Sequence, residues 1–104
     1  VGPKSGDQFS AATFDVSQNF PNPFNPSTQI NYTVPEVSKV RIDVYDGTGS
    51  LVATLVDETK DAGTYVVTFD ASQLATGTYI AVASLEGTES GLSFDKTIRM
   101  QLTK

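Results

Sequence analysis

The sequence predicts an all-β domain, folded as an antiparallel two-sheet sandwich of about seven short strands. Segments in which apolar and polar residues alternate recur along the 104-residue chain, as expected for strands with one buried face. Gly, Asp and Asn separate these segments at the short spacing that sandwiches show. No segment combines helix caps with a continuous apolar stripe, so we expect at most one helical turn, near Leu74.

The most distinctive segment is residues 20–28, Phe-Pro-Asn-Pro-Phe-Asn-Pro-Ser-Thr, called the proline run below. Each proline fixes its own φ and moves the preceding residue towards extended geometry, so the run is stiff before anything packs on it. Asparagine side chains can hydrogen-bond nearby backbone, and Phe20 and Phe24 supply apolar anchors. We therefore expect a rigid corner that leads into the β domain.

The first predicted strands flank this run, with an early strand over residues 13–17 and a second over residues 29–34. Residues 40–45 alternate in the same way. The Asp-Gly-Thr-Gly-Ser segment at 46–50 supplies the residues that a hairpin turn needs before a strand over residues 51–56. The two strands on either side of this turn should be antiparallel neighbours.

The second half of the chain is predicted to add three strands. The polar segment 57–63 is predicted to be a loop. The strands are predicted over residues 65–69, 78–85 and 92–103, with a short crossover at 70–77 and a turn at 86–91.

The composition argues against several classes of function. The chain has no Cys, His or Trp, which removes thiol nucleophiles, imidazole bases and zinc-thiolate sites. A net charge of −5 without a Lys/Arg cluster disfavours nucleic acid as a partner. No apolar run approaches the roughly 20 residues of a membrane-spanning helix.

The opening residues differ in composition from the rest of the chain. Residues 1–12 are rich in Gly, Pro and polar side chains, so we interpret them as a linker or a cloning remnant. The folded domain is expected over residues 13–104, as part of something longer.

Acidic side chains are the remaining candidates for catalysis or metal binding. We expect Asp43, Asp46, Asp57, Glu58 and Asp61 near turns and at outward strand positions, in contact with water. A solvated acidic rim is favoured over a catalytic carboxylate pair, so no enzymatic activity and no cofactor are predicted. Oxygen ligands at the same positions would suit Ca²⁺, but no EF-hand spacing is present, and whether a structural calcium binds stays open.

Tyr45 suggests that the domain could bind carbohydrate. It is out of phase with the alternation of its strand and would present a flat face for stacking on a sugar. Aromatic residues on sandwiches more often pair across strands, which is the interpretation we favour. One candidate function, kept as an alternative, is therefore that of an accessory immunoglobulin-like or fibronectin-like module of a secreted enzyme, which binds polysaccharide or acts as a spacer.

Several segments, taken in order, together match the pattern of one known family. They are the proline run, residues 30–35 (Ile-Asn-Tyr-Thr-Val-Pro), and Val-Tyr-Asp at 44–46 followed by Gly49. Further along, residues 69–79 resemble the family's Leu-x-x-Gly-x-Tyr segment, and residues 97–104 resemble its terminal strand with a closing lysine. In this order the segments resemble the type A C-terminal sorting domain of type IX secretion, and the resemblance extends from about residue 16 to residue 104.

The resemblance implies an immunoglobulin-like sandwich that serves as a non-catalytic C-terminal secretion signal in bacteria of the Bacteroidetes type. Such a domain is attached to an N-terminal cargo and directs it through the periplasm to the outer-membrane surface or the medium. Its implied partners are the outer-membrane translocon and shuttle proteins, and a sortase-like peptidase that usually removes the domain. We expect the cut at residues 8–13, where polar backbone precedes the folded domain.

The resemblance also implies roles for individual residues. Those placed in a recognition role are Arg99, Met100, Leu102 and Lys104. Those that match family motifs, with roles we expect to be structural, are Pro21, Asn22, Pro23, Phe24, Gly77 and Tyr79. The last strand is further expected to offer backbone groups for edge pairing, which would also allow weak self-association.

Overall fold

The computed structural model describes residues 13–104 and shows seven strands and no helix within that range. The strands are β1 (Asp15–Val16), β2 (Ser27–Val34), β3 (Ser38–Tyr45), β4 (Leu51–Lys60), β5 (Gly63–Asp70), β6 (Gly77–Gly87) and β7 (Ser93–Leu102). The predicted all-β class is therefore confirmed. The predicted linker over residues 1–12 lies outside the described residues.

The strands form two antiparallel sheets. One sheet has the order β1-β2-β5 and the other has the order β4-β3-β6-β7. The predicted hairpin between β3 and β4 is present, and Gly49 in its turn has a φ of 87°, a conformation that glycine adopts without steric cost. The two sheets pack face to face as the predicted sandwich.

The core lies between the sheets and is built from alternate residues of each strand. The alternation places every second side chain of β2 inside, and likewise Ile98, Met100 and Leu102 of β7, as the sequence predicts. The larger fully buried side chains come from both sheets and include Ile30, Val34, Val40, Ile42, Val44, Phe69, Leu85, Ile98, Met100 and Leu102. Because the core is apolar and continuous, it fixes which face of each strand meets solvent.

β4 exceeds its predicted range by more residues than any other strand. The segment 57–60, expected to be part of a polar loop, continues β4 and pairs with the start of β3, with Asp57 opposite Arg41 and Lys60 opposite Ser38. β4 is an edge strand, and Asp57, Glu58 and Thr59 are all exposed, so this half shows no apolar alternation. Backbone pairing holds it in place without an apolar signal in the sequence.

The expectation that water surrounds Asp43 is wrong. The register of β3 against β4 shifts between Ile42 and Asp43, and Asp43 becomes buried, with a relative exposure of 9%. Its carboxylate accepts hydrogen bonds from Arg41 Nε at 2.8 Å and from Thr54 Oγ1 at 2.8 Å. Burial raises the pKa of Asp43, but the bonds from Arg41 and Thr54 outweigh it and lower the pKa below its ordinary value.

Candidate functional site at the last strand

The four residues predicted to act in recognition separate into two pairs. Met100 and Leu102 on β7 are both 0% exposed and belong to the core between the sheets. Arg99 and Lys104 are exposed. Of these four, only Arg99 and Lys104 have side chains on the surface of the folded domain, and their recognition role stays a prediction.

The edge of β7 is covered over its second half. The backbone N–H of Phe24 donates to the carbonyl of Gln101 at 2.9 Å, and the N–H of Thr103 donates to the carbonyl of Phe24 at 2.9 Å. This pairing gives the isolated parallel bridge between Phe24 and Leu102. The expectation of a free edge along the whole last strand is therefore wrong for residues 99–103, because the proline run occupies it.

Side chains from the covering segment continue the contact. Asn22 Oδ1 accepts a hydrogen bond from the backbone N–H of Gln101 at 3.0 Å. The carbonyl of Arg99 accepts from Asn22 Nδ2 at 3.3 Å and from Gln18 Nε2 at 2.9 Å. Asn22 therefore holds the proline run against the strand that carries Arg99, so these two motif segments form one surface.

Pro21 and Pro23 flank Asn22 and are also exposed, so they belong to the same surface. The X–Pro peptide bonds at Pro21, Pro23 and Pro26 are all cis. Phe20, expected to be an apolar anchor, is 79% exposed, and that expectation is wrong.

Phe24 fills the anchoring role. Its side chain is 2% exposed, and its ring centroid lies 5.8 Å from that of Phe69. Phe69 in turn lies 6.3 Å from Tyr79 in an edge-on arrangement, and the Tyr79 hydroxyl donates to the carbonyl of Ala75 at 2.6 Å. Because such aromatic pairs add stability beyond their buried area, the core side of the proline run is fixed to the Gly77–Tyr79 segment.

Gly77 is the first residue of β6, with a φ of 159° near the extended region. A Cβ at this position would meet no atom within 4 Å. Neighbouring atoms therefore do not require glycine here.

Lys104 contacts the loop between β5 and β6. Its ammonium donates to the carbonyl of Ser72 at 2.8 Å, and its backbone N–H donates to Thr76 Oγ1 at 3.2 Å. The predicted closing lysine is thereby held on the protein surface, while its exposed side chain stays accessible to solvent.

Asn19, which no sequence motif singled out, holds the proline run from its buried side through hydrogen bonds. It is 2% exposed, and its Nδ2 donates to Thr28 Oγ1 at 3.0 Å and to the carbonyl of Pro21 at 3.1 Å. Thr28 is also buried and donates to the same carbonyl at 2.8 Å. The sequence signal for this role is the position of Asn19 immediately before the Phe20–Pro21 pair. Buried polar groups whose hydrogen bonds are satisfied fix the local geometry of the chain.

The acidic candidates do not converge on a site. In residues 13–104, no group of three or more acidic side chains is placed to hold a metal ion. Asp46 Oδ1 accepts from Thr48 Oγ1 at 2.6 Å and from the N–H groups of Thr48 and Ser50 at 2.9 Å and 3.0 Å. These bonds, the Thr48 hydroxyl first, hold the pKa of Asp46 below its ordinary value. The carboxylate is thus used by the hairpin turn.

Comparison with known families decides the identity of the domain. The model of the secretion system C-terminal sorting domain matches residues 18–92. The chain belongs to this family. As a sorting domain it is a type IX secretion signal, which implies export to the cell surface or the medium, attachment to a cargo and interaction with the secretion machinery. Domains of this family are typically non-catalytic.

A solved structure supports the fold of the sorting domain. CopC from Methylosinus trichosporium OB3b superposes with a TM-score of 0.58 at 16% identity, over 86% of this chain and 93% of that one. A family 123 glycoside hydrolase from Clostridium perfringens gives a TM-score of 0.49 at 8% identity, over 80% of this chain and 23% of that one. No match was found among the curated proteins. In the part that the structure describes, no helix is long and apolar enough to cross a membrane.

Proposed function

We propose that residues 13–104 form a non-catalytic address domain, which the type IX translocon and its shuttle proteins read in the periplasm through the surface around Arg99. The observation that carries this proposal is the bonding of Gln18 and Asn22 to the Arg99 carbonyl at 2.9 Å and 3.3 Å. Through these bonds the proline run and the last strand present one rigid exposed surface. A receptor that binds this surface can distinguish the folded domain from an unfolded chain.

Electrostatics indicates how the surface would be read. The chain has a net charge of −5, whereas the last strand carries the exposed cation Arg99 and is followed by the exposed Lys104. Complementary charge directs encounter and orientation more than it adds affinity. We therefore expect an acidic receptor surface, and the covered edge of residues 99–103 favours recognition of side chains over strand addition there.

Removal of the domain by a sortase-like peptidase is the second part of the proposal. The expected cut at residues 8–13 falls before β1, which begins at Asp15, and Thr13 is exposed. A cut there would leave all seven described strands intact. The domain boundary at residue 13 is proposed on the same ground.

The test uses a fluorescent passenger fused ahead of residues 9–104, behind an ordinary signal peptide. It is expressed in a type IX-competent bacterium and in its translocon-deficient mutant. Surface or medium delivery in the competent strain alone supports the proposal. Periplasmic retention of the intact fusion in both strains contradicts it and favours the accessory module.

The surface itself is tested by charge reversal in the same fusion. Arg99→Glu combined with Lys104→Glu is expected to reduce export at least about tenfold, because two attractive charges become repulsive. Lys39→Glu, an exposed cation on β3, is the matched control and should be exported normally. Equal export of both variants would contradict recognition through this surface.

A further inference from the structure

β5 is the edge strand of the three-stranded sheet. It pairs with β2 over all eight of its residues, from Gly63 opposite Val34 to Asp70 opposite Ser27. Within residues 13–104 no strand pairs with its other side. An open edge of this length is a template for another strand.

The hydrogen bonds of β2 show which groups face this open edge. The backbone carbonyl and N–H of Asn31 both bond to Ser17, and those of Gln29 both bond to Phe20. The backbone groups of Asn31 and Gln29 therefore point away from β5. In an antiparallel ladder, the residues opposite them point their own groups outward. Val66 lies opposite Asn31 and Thr68 lies opposite Gln29, so both present N–H and C=O to the open edge.

Thr64 completes the set. It lies opposite Thr33, which is paired with Asp15 of β1, and its backbone groups therefore also point outward. The side chains of Thr64, Val66 and Thr68 are exposed, and Val66 has a relative exposure of 58%. The edge thus offers six aligned backbone groups beside an apolar centre.

The other long edge strands carry features that hinder pairing. β4 has Asp57, Glu58 and Lys60 in its second half and two register shifts against β3. The second half of β7 is covered by the proline run. Residues 63–69 of β5 contain no charge and no proline, and its ladder with β2 is regular. Edge strands usually have such protection, and β5 lacks it.

We propose that β5 pairs with β5 of a second copy of this chain, in an antiparallel dimer with its two-fold axis at Val66. The sequence around that axis is symmetric, because Thr64 and Thr68 lie two residues to either side. In this register Val66 lies opposite Val66 of the other chain, and each Thr64 lies opposite Thr68 of the other chain. Apolar and Thr–Thr pairs are favourable across antiparallel strands, and an edge that is complementary to itself selects a second copy as its occupant.

The pairing at β5 is independent of the surface around Arg99. β7 lies at the edge of the other sheet, so Arg99 stays accessible in the dimer. Each copy carries a net charge of −5, so the two copies repel each other, and added salt should strengthen the dimer. Loss of the dimer would not affect the proposal on export.

Sedimentation equilibrium of the 104-residue chain tests the association. We expect a reversible monomer–dimer equilibrium between about 10 μM and about 1 mM, with a lower dissociation constant at higher salt. Val66→Lys opposes two ammonium groups across the axis and should weaken the dimer by on the order of tenfold or more. Val82→Lys on β6, which is paired on both sides, is the matched control and should dimerise normally. A chain that stays monomeric throughout, or a dimer that Val66→Lys leaves unchanged, overturns the proposal.

Disulfide trapping tests the register, because the natural sequence has no cysteine. A hydrogen-bonded antiparallel pair places its Cα atoms about 5.5 Å apart, within the roughly 4.4–6.8 Å that a disulfide spans. Val66→Cys should therefore cross-link under mild oxidation at least about tenfold faster than Val82→Cys. Equal rates for the two variants would overturn the proposed register.

Discussion

The side chain of Asn22 bonds to two alternate residues of β7, with Oδ1 accepting from the Gln101 N–H at 3.0 Å and Nδ2 donating to the Arg99 carbonyl at 3.3 Å. These are the groups that a neighbouring strand would otherwise bond. Phe24 continues the pattern with its own backbone. The proline run thus takes the place of an eighth strand without extended pairing of its own.

Removing this amide should loosen the cover of the last strand. We expect Asn22→Ala to lower the free energy of unfolding by about 1–2 kcal/mol, because two hydrogen bonds of modest net value are lost at an exposed position. Urea denaturation measures the change, and amide hydrogen exchange should show faster exchange at Gln101. Asn25→Ala is the control, since Asn25 is also exposed and also precedes a proline. An equal effect of both substitutions would contradict the role of Asn22.

The buried members of the terminal motif should act on stability. Leu102→Ala and Met100→Ala remove side chains with 0% exposure and are each expected to cost about 2–5 kcal/mol in unfolding free energy. Arg99→Ala should change stability by less than about 0.5 kcal/mol, because its side chain is exposed. Chemical denaturation of the three variants checks this order. A Leu102→Ala variant as stable as the natural chain would show that the core does not depend on this strand.

The sequence predicts the strands whose inner face is apolar, because burial imposes a period of two that is visible in β2 and β7. It cannot predict the second half of β4, where Asp57 and Glu58 are exposed and pair through the backbone alone. The burial of Asp43 depends on a register shift that becomes defined only when β3 meets β4.

The candidate site shows the same limit. Motif order identifies Asn22 and Arg99 separately, whereas their contact joins residues 77 positions apart. The covering of an edge by side chains has no periodic signal, so the sequence alone suggested a free last strand. Likewise, alternation was enough to place Met100 inside, although the family resemblance suggested recognition.

The hairpin turn should make stability depend on pH through Asp46. Hydrogen bonds, that of the Thr48 hydroxyl first, lower the folded-state pKa of Asp46, so its contribution is present above the unfolded value of about 3.9. That contribution is lost as the pH falls through the lower folded-state pKa. Asp46→Asn should therefore reduce the loss of thermal stability between about pH 5 and pH 2.

Thermal unfolding at a series of pH values measures this dependence for the natural chain and Asp46→Asn. Thr48→Val, which removes the hydroxyl donor, should reduce the acid loss partially. If Asp46→Asn and the natural chain lose stability in parallel over the whole range, the carboxylate does not stabilise the turn.

The position of the Glu36 carboxylate against the turn at residues 89–90 should depend on the absence of a side chain at Gly87. Glu36 Oε1 accepts from the N–H groups of Glu89 and Ser90 at 2.9 Å each, and the Ser90 side chain is the first cause of its lowered pKa. A Cβ at Gly87 would lie 2.6 Å from Glu36 Cδ. Gly87→Ala should therefore displace the carboxylate from the turn, because a Cβ contact shorter than about 3 Å cannot persist without movement.

An NMR titration of Glu36 reports the displacement directly. In Gly87→Ala the pKa of Glu36 should rise towards its ordinary value, since its hydrogen-bond donors are lost. Gly47→Ala is the matched control, because its Cβ would come no closer than 3.9 Å to another chain segment, at Thr78 O. An unchanged Glu36 titration in Gly87→Ala would mean that the carboxylate reaches the turn by another route, and that Gly87 does not position it.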